Sequence, residues 1–176
     1  LLQANDVDLA IMGRPPRELA TRAEPFAVHP HAVVTAPEHP LTRIGHAPAS
    51  LLANYEFIIR EPGSGTRAAM EKYFADHRLQ PRVAMEMTSN ETIKQAVMAG
   101  MGISFLSLHT IGTELKAGLI SIADIEDLPL QKRWYIVNTL AKTLSPAAEA
   151  FRYFVLEEAE RFLAQEYGAF SSAPER

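Results

Sequence analysis

The chain has 176 residues, 47% hydrophobic and 22% charged, a globular composition that excludes disordered, collagenous and fibrous classes. Seventeen basic against twenty-one acidic side chains give a net charge of −4, so the basic surface of a module that itself grips a phosphate backbone is missing. There is no cysteine and no apolar run of about 18 residues, so neither a disulfide framework nor a helical membrane span is expected, and the reading is cytoplasmic.

Leu1-Leu2-Gln3-Ala4-Asn5-Asp6 reads as the end of a helix running into a strand, as if the chain were a piece of a longer one. Residues 7–12 form an apolar run closed by Gly13-Arg14-Pro15-Pro16, a buried strand ending in a loop where two prolines forbid helix. Residues 26–36 read as extended, with Pro30 placing them at an edge or a bend; Pro37 and Pro40 then mark a connection. From there strands over 57–60, 82–87 and 103–106 alternate with helices over 66–78 and 91–99, which predicts crossover units and a largely parallel sheet.

Helical spacing puts Ala69, Met70, Tyr73, Phe74 and His77 on one inward face, and Ile93, Ala96, Val97, Gly100 and Met101 on another. Thr88-Ser89-Asn90-Glu91 has the form of a capping box. A helix over 110–117 ends at Gly118, residues 119–125 read as extended, and Pro129 precedes a strand over 134–138. Ser145-Pro146 starts the last helix with an N-cap and a first-turn proline. Its spacing turns Phe151, Phe154, Val155, Ala159 and Phe162 inward, pairs Glu157 with Arg161, and ends near Tyr167-Gly168, before a frayed tail over 169–176.

The proline-marked connections bracket an inserted lobe, 34–133, between outer segments 1–33 and 134–165 that meet in a second lobe, with 166–176 as a tail. Two chain crossings between lobes predict a hinge and a cleft. In open α/β sheets ligands bind beyond the carboxyl ends of strands, so the strand-to-helix junctions are where function is sought.

The first junction, Arg60-Glu61-Pro62-Gly63-Ser64-Gly65-Thr66-Arg67, combines two glycines, two hydroxyls and a helix N-terminus, the makings of an anion site. It also fits a plain strand-to-helix turn with a hydroxyl cap, and it is not a P-loop, since no Lys follows the second glycine. Glu61 beside Arg60 and Arg67 reads as an ion pair. Ser89, Asn90 and Glu91 at the second junction also point a helix N-terminus at the strand ends, although a capping box alone would explain them. Arg14, after the first strand, could fork onto a carboxylate or phosphate, or simply be a solvated loop residue.

Gly100-Met101-Gly102 lacks the third glycine of a dinucleotide fingerprint and sits where a helix should end. His29 and His31 share a strand face, but no further ligand spacing supports a metal site. There is no Gly-x-Ser-x-Gly elbow and no triad spacing, so no catalytic residue is assigned; donors without a base favour binding over turnover.

Six strings in order carry a resemblance. They are residues 7–16, Ala36-Pro37-Glu38-His39-Pro40-Leu41, the Arg60 to Arg67 junction, Ser89-Asn90-Glu91-Thr92-Ile93-Lys94, Gly100-Met101-Gly102-Ile103-Ser104-Phe105-Leu106-Ser107 and Leu144-Ser145-Pro146. Over nearly its whole length the sequence resembles the effector-binding domain of LysR-type transcriptional regulators, most of all the regulators of Calvin-cycle carbon-fixation operons. The resemblance implies an α/β fold of two Rossmann-like lobes, like the type II periplasmic binding proteins, with the first lobe N-terminally truncated here. It implies a small-molecule effector held by Arg14, Glu61, Gly63, Ser64, Gly65, Thr66, Arg67, Ser89, Asn90, Glu91 and Phe105. For the carbon-fixation subgroup that effector would be an anionic metabolite such as NADPH, ribulose bisphosphate or phosphoenolpyruvate, with no other cofactor. It also implies self-association as a dimer or tetramer, and DNA contact only through a helix-turn-helix domain absent from these residues. The outer lobe is then expected to expose a sheet edge or an apolar face. Two alternatives share the architecture: a solute-binding protein of a transporter, and an enzyme needing a catalytic acid in the cleft, a covalent-cofactor residue being excluded by the absence of cysteine.

Overall fold

The computed structural model describes residues 1–16 and 18–167; the tail expected over 169–176 lies outside the described residues. The chain divides into two compact units, Pro30–Gln131 and Leu1–His29 with the described part of Lys132–Arg176. Both chain crossings fall within long strands, β2 (Thr21–Thr35) and β7 (Leu130–Thr139).

In Pro30–Gln131, β3 (Glu56–Arg60) and β4 (Arg82–Met87) pair in parallel across α1 (Gly65–Asp76). After α2 (Asn90–Met98), β5 (Ser104–Ser107) enters beside β3, with Phe57 bridged in parallel to Ile103. The Ile58 N–H donates to the Ile103 carbonyl at 2.8 Å, and the Ile103 N–H to the Glu56 carbonyl at 2.9 Å. Gly102 makes that approach possible, because a Cβ there would lie 2.8 Å from the Glu56 oxygen. On its other side β5 pairs antiparallel with β2, Val33 opposite Phe105, and β6 (Ser121–Ile122) also runs antiparallel to β2. The largely parallel sheet expected from alternation is therefore confined to the three strands joined by helical crossovers. The connection from β2 to β3 is short 3-10 turns rather than a crossover helix, so it imposes no parallel direction.

A large apolar cluster in this unit holds Phe57, Ile59, Met70, Tyr73, Phe74 and Phe105, with Leu41 and Leu52 from the 3-10 turns. On α1 the expected Ala69, Met70, Tyr73 and Phe74 are buried, while His77 is the C-cap and half-buried. On α2, Ile93, Ala96 and Val97 are buried as expected, but Gly100 and Met101 lie beyond the helix, and Met101 is 53% exposed. The Gly100 and Met101 N–H groups instead bond back to the Val97 and Ala96 carbonyls and close the helix, as the Gly118 and Leu119 N–H groups do for α3 (Gly112–Lys116). The capping box is not formed either. The helix starts at Asn90 with Ser89 as an N-cap whose side chain caps nothing, and Glu91 reaches Lys94.

In the other unit, β1 (Ala10–Met12) is an edge strand paired antiparallel with β7, Ala10 opposite Val137. Just before it, Asn5 at φ 59° bonds back to Leu2, and Asp6 to Leu1, the hydrogen-bond pattern that ends a helix. α4 (Pro146–Tyr167) starts as expected, with the Ser145 hydroxyl accepting from the Ala148 N–H at 3.2 Å. Its inward face is not the expected one. Val155 is buried and Ala159 packs beside it, joined by Leu156 and Leu163, whereas Phe151, Phe154 and Phe162 are half exposed or more. Arg152, 1% exposed, takes the inward place because its guanidinium bonds Glu24 and Glu149. Arg161 pairs with Glu158, one turn position short of the expected Glu157. His29 stacks on Trp134 at 3.7 Å, and His31 faces Phe105 at 5.9 Å, so both rings serve packing.

Candidate functional site

Parallel β3, β4 and β5 bring three carboxyl-terminal strand ends to one edge of Pro30–Gln131, and three connections leave from there: residues 61–64, 88–89 and 108–111, the last with a 3-10 turn over Leu108–Thr110. Gly63, at φ +90°, turns the first loop into α1. Ser64 is the N-cap, yet its side chain makes no capping bond, and the first turn of α1 holds no acidic residue. The Ser64 and Thr66 side chains and the leading N–H groups of α1 are thus available to an incoming acceptor. Ser89 stands in the same position before α2, again without a side-chain cap. Gly63 and Gly65 are exposed; Ser64, Thr66 and Asn90 are half-buried.

Arg60, the last residue of β3, ties the first two loops together. Its Nε donates to Glu61 Oε2 at 2.7 Å and its Nη2 to Glu61 Oε1 at 2.8 Å, a bidentate pair, while Nη1 donates to Asn90 Oδ1 at 2.6 Å. Those bonds from Arg60 hold the Glu61 carboxyl below the usual carboxylate range. The ion pair expected of Glu61 is therefore with Arg60. Arg67 is turned along α1 and β4: Nε donates to Glu71 at 2.7 Å, and Nη1 to Glu86 and to the Arg60 carbonyl. Its two carboxylate partners raise its already high pKa.

Behind the second and third loops lies Lys94, 5% exposed on the inward side of α2. Its ammonium meets Glu114 at 2.8 Å, Glu91 at 2.9 Å and the Thr110 carbonyl at 3.1 Å. Burial alone would lower its pKa, but the two carboxylates outweigh burial and raise it; burial would raise Glu114, and Lys94 holds it low.

The structure thus brings Glu61, Gly63, Ser64, Gly65, Thr66, Ser89, Asn90 and Glu91 to one edge, with Arg67 adjacent but engaged. Phe105 lies inside the apolar cluster, 2% exposed, its ring 6.2 Å from Tyr73. Arg14 belongs to the other unit, where it is exposed and lines a shallow depression with Pro15, Pro16 and Glu18. Among the described residues no three His, Asp or Glu side chains cluster as metal ligands. Sequence reasoning passed over Arg60 and Lys94. Each carries a signal: a cation closing the apolar strand Phe57-Ile58-Ile59, and a lysine beside Ile93 on the face of α2 that must turn inward.

Residues 1–160 match the LysR substrate binding domain family. The HTH-type transcriptional regulator CfxR of Cupriavidus necator is 50% identical over 168 residues, 96% of this chain and 53% of that protein. The RuBisCO operon transcriptional regulator of Allochromatium vinosum is 46% identical over 161 residues, 92% of this chain and 53% of that protein. The chain spans about half the length of the curated relatives it matches. Among solved structures, the CcmR regulatory domain of Synechocystis PCC6803 in complex with 2-PG superposes with a TM-score of 0.84 at 39% identity, covering 88% of this chain and 74% of that one. The effector binding domain of QuiR in complex with shikimate shares the fold, with a TM-score of 0.78 at 23% identity, covering 94% of this chain and 76% of that one.

Proposed function

The chain belongs to the LysR substrate-binding-domain family, and on that premise we propose that it is the effector-sensing part of a transcription regulator of carbon-fixation genes. The effector is a small anionic metabolite. The observation that carries this is the pair of helix N-termini, behind Ser64 and Ser89, set at the ends of adjacent parallel strands with their cap hydroxyls unused. A phosphate or carboxylate oxygen is the acceptor such donors fit. 2-Phosphoglycolate, the ligand of the CcmR domain, is the first compound to try, followed by ribulose bisphosphate and NADPH.

In this reading no bond is made or broken. Effector binding favours one of two conformations of the regulator by its differential affinity for them, and so changes how the protein engages DNA. DNA is met through a helix-turn-helix domain of the kind for which the relatives are named, the active species is a dimer or tetramer, and the setting is cytoplasmic. Among the described residues no helix is long and apolar enough to cross a membrane. The relatives are transcription regulators, and the transporter alternative draws no support from them.

Calorimetric titration of the purified protein with 2-phosphoglycolate, ribulose bisphosphate and NADPH tests this. One of them binds, and Thr66→Ala weakens it by about 10- to 100-fold, the loss of one hydrogen bond to a charged group. Equal affinity in the variant would remove the β3–α1 junction from the site.

A further inference from the structure

Among the described residues, the Arg and Lys side chains at the strand-end loops are each matched to carboxylates of the protein: Arg60 to Glu61, Arg67 to Glu71 and Glu86, Lys94 to Glu91 and Glu114. Recognition of an anion by this unit therefore falls to neutral N–H and O–H groups. The backbone N–H groups of the helix starts only donate and so favour an acceptor, but hydroxyls rotate and serve equally as donor or acceptor, so they cannot by themselves add to that preference. A carboxamide can, provided something decides which of its two ends faces the ligand.

We infer that Arg60 is a positioning residue that holds the Asn90 carboxamide with its NH2 toward the ligand, and that this NH2 adds a fixed side-chain donor to the backbone N–H groups that receive an anionic oxygen. A guanidinium only donates, so the Asn90 atom 2.6 Å from Arg60 Nη1 must be the oxygen. The planar carboxamide then puts Nδ2 on its other branch, and the side-chain hydrogen bond that Asn90 makes among the described residues is the one from Arg60 to Oδ1. Asn90 is half-buried and opens α2 directly after Ser89. Arg60 is itself fixed, since Glu61 takes its Nε and Nη2 in a bidentate pair, and its side chain is only 17% exposed. Turning the carboxamide over would set donor against donor and forfeit a charge-assisted bond, a bias of about 10- to 100-fold for the orientation seen. The chain Glu61 to Arg60 to Asn90 thus converts a carboxylate beside the site into a donor presented within it.

This rests on the site reading above, and the test separates the two. Asn90→Asp keeps an acceptor toward Arg60 but replaces the free NH2 by an oxygen; Asn90→Ala removes both ends. In titrations with 2-phosphoglycolate the wild type binds, Asn90→Asp loses at least about 10-fold and Asn90→Ala less, since it removes a donor without adding a repelling oxygen. The melting temperature of Asn90→Asp stays at or above wild type, because its carboxylate still meets Arg60 and suits the first turn of a helix. Affinities of both variants within twofold of wild type would overturn the inference and leave the site reading standing. A wild type that binds none of 2-phosphoglycolate, ribulose bisphosphate or NADPH would overturn the site reading and the inference with it. A destabilised Asn90→Asp leaves the decision to Asn90→Ala, whose unchanged affinity would be equally fatal.

Discussion

Pro30–Gln131 buries Phe57, Phe74, Leu41, Leu52 and Ile103 almost completely in and around one cluster and leaves Val83, Met101 and Leu119 half exposed, whereas the other unit buries Phe26, Ala27, Ile136 and Val155 and leaves Ile11, Leu140, Phe151, Tyr153, Phe154 and Phe162 half exposed or more. The ion pairs differ in the same sense. Lys94 has one enclosed partner, Glu114 at 14% exposed, beside the open Glu91 at 75%, while both partners of buried Arg152, Glu24 and Glu149, are open to water at 29% and 37%. A unit with a closed core can leave its strand-end loops polar and under-bonded, as at Ser64, Thr66 and Ser89, because its stability does not depend on them. In the other unit the helix α4 carries both the core contacts and the ion pairs, so little is spare.

The sharpest way to break this comparison is Phe57→Ala. The ring is fully buried and meets Phe74 edge-on at 5.2 Å, so its removal costs about 3–5 kcal/mol in cavity and transfer terms. Urea unfolding followed by amide hydrogen exchange should show the loss at β3, β4 and β5. A loss below about 1 kcal/mol would mean that the cluster around Phe57 does not dominate its unit.

Next in size is Lys94→Met, which strands Glu114 and the Thr110 carbonyl. The expected loss is about 2–4 kcal/mol at neutral pH. Without its cation Glu114 is governed by burial, so its folded pKa rises above the unfolded value. The penalty is then absent below the unfolded carboxylate range and develops as pH rises through the raised folded pKa, so the variant regains stability on mild acidification. Arg152→Met should cost less, about 1–2 kcal/mol, with a flatter pH profile, because its carboxylates can hydrate. Equal losses in the two variants would erase the contrast between the units.

Much of the inserted unit is legible in the sequence, because its signals are local and mutually consistent. The β4 boundaries at 82 and 87, the α1 face through Tyr73 and Phe74, and the helix ends at Gly100 and Gly118 all follow from short-range spacing and turn chemistry. The strand-end junctions follow from the same spacing, since a strand-to-helix step must place its loop at the carboxyl edge. What fails is what depends on distant partners. Strand direction at β2 and β6 is set by pairing across the sheet, not by the local run of residues. The α2 cap shifts by one residue because Glu91 has a better partner in Lys94 than the helix start provides. Arg67 looks like a site residue until Glu86, nineteen residues away on β4, is seen to hold it. The bracket of Arg60 on Asn90 spans thirty positions, and nothing in the local sequence announces it.

The smallest expected effect bears on α4, where spacing misleads for a different reason. Apolar residues cover more than half of its circumference, so periodicity alone permits either Phe151, Phe154 and Phe162 or Leu156, Ala159 and Leu163 to face the sheet. Arg152 decides between them, because only one rotation brings its guanidinium to Glu24 while Val155 enters the core. If that rotation is right, Phe154→Ser and Phe162→Ser change stability by no more than about 0.5 kcal/mol each, as substitutions at exposed positions do. Thermal unfolding of the purified protein with both substitutions measures it directly. A combined loss above about 2 kcal/mol would mean that this aromatic face is covered rather than exposed, and the contrast between the two units would then lie in what each packs against rather than in how much each buries.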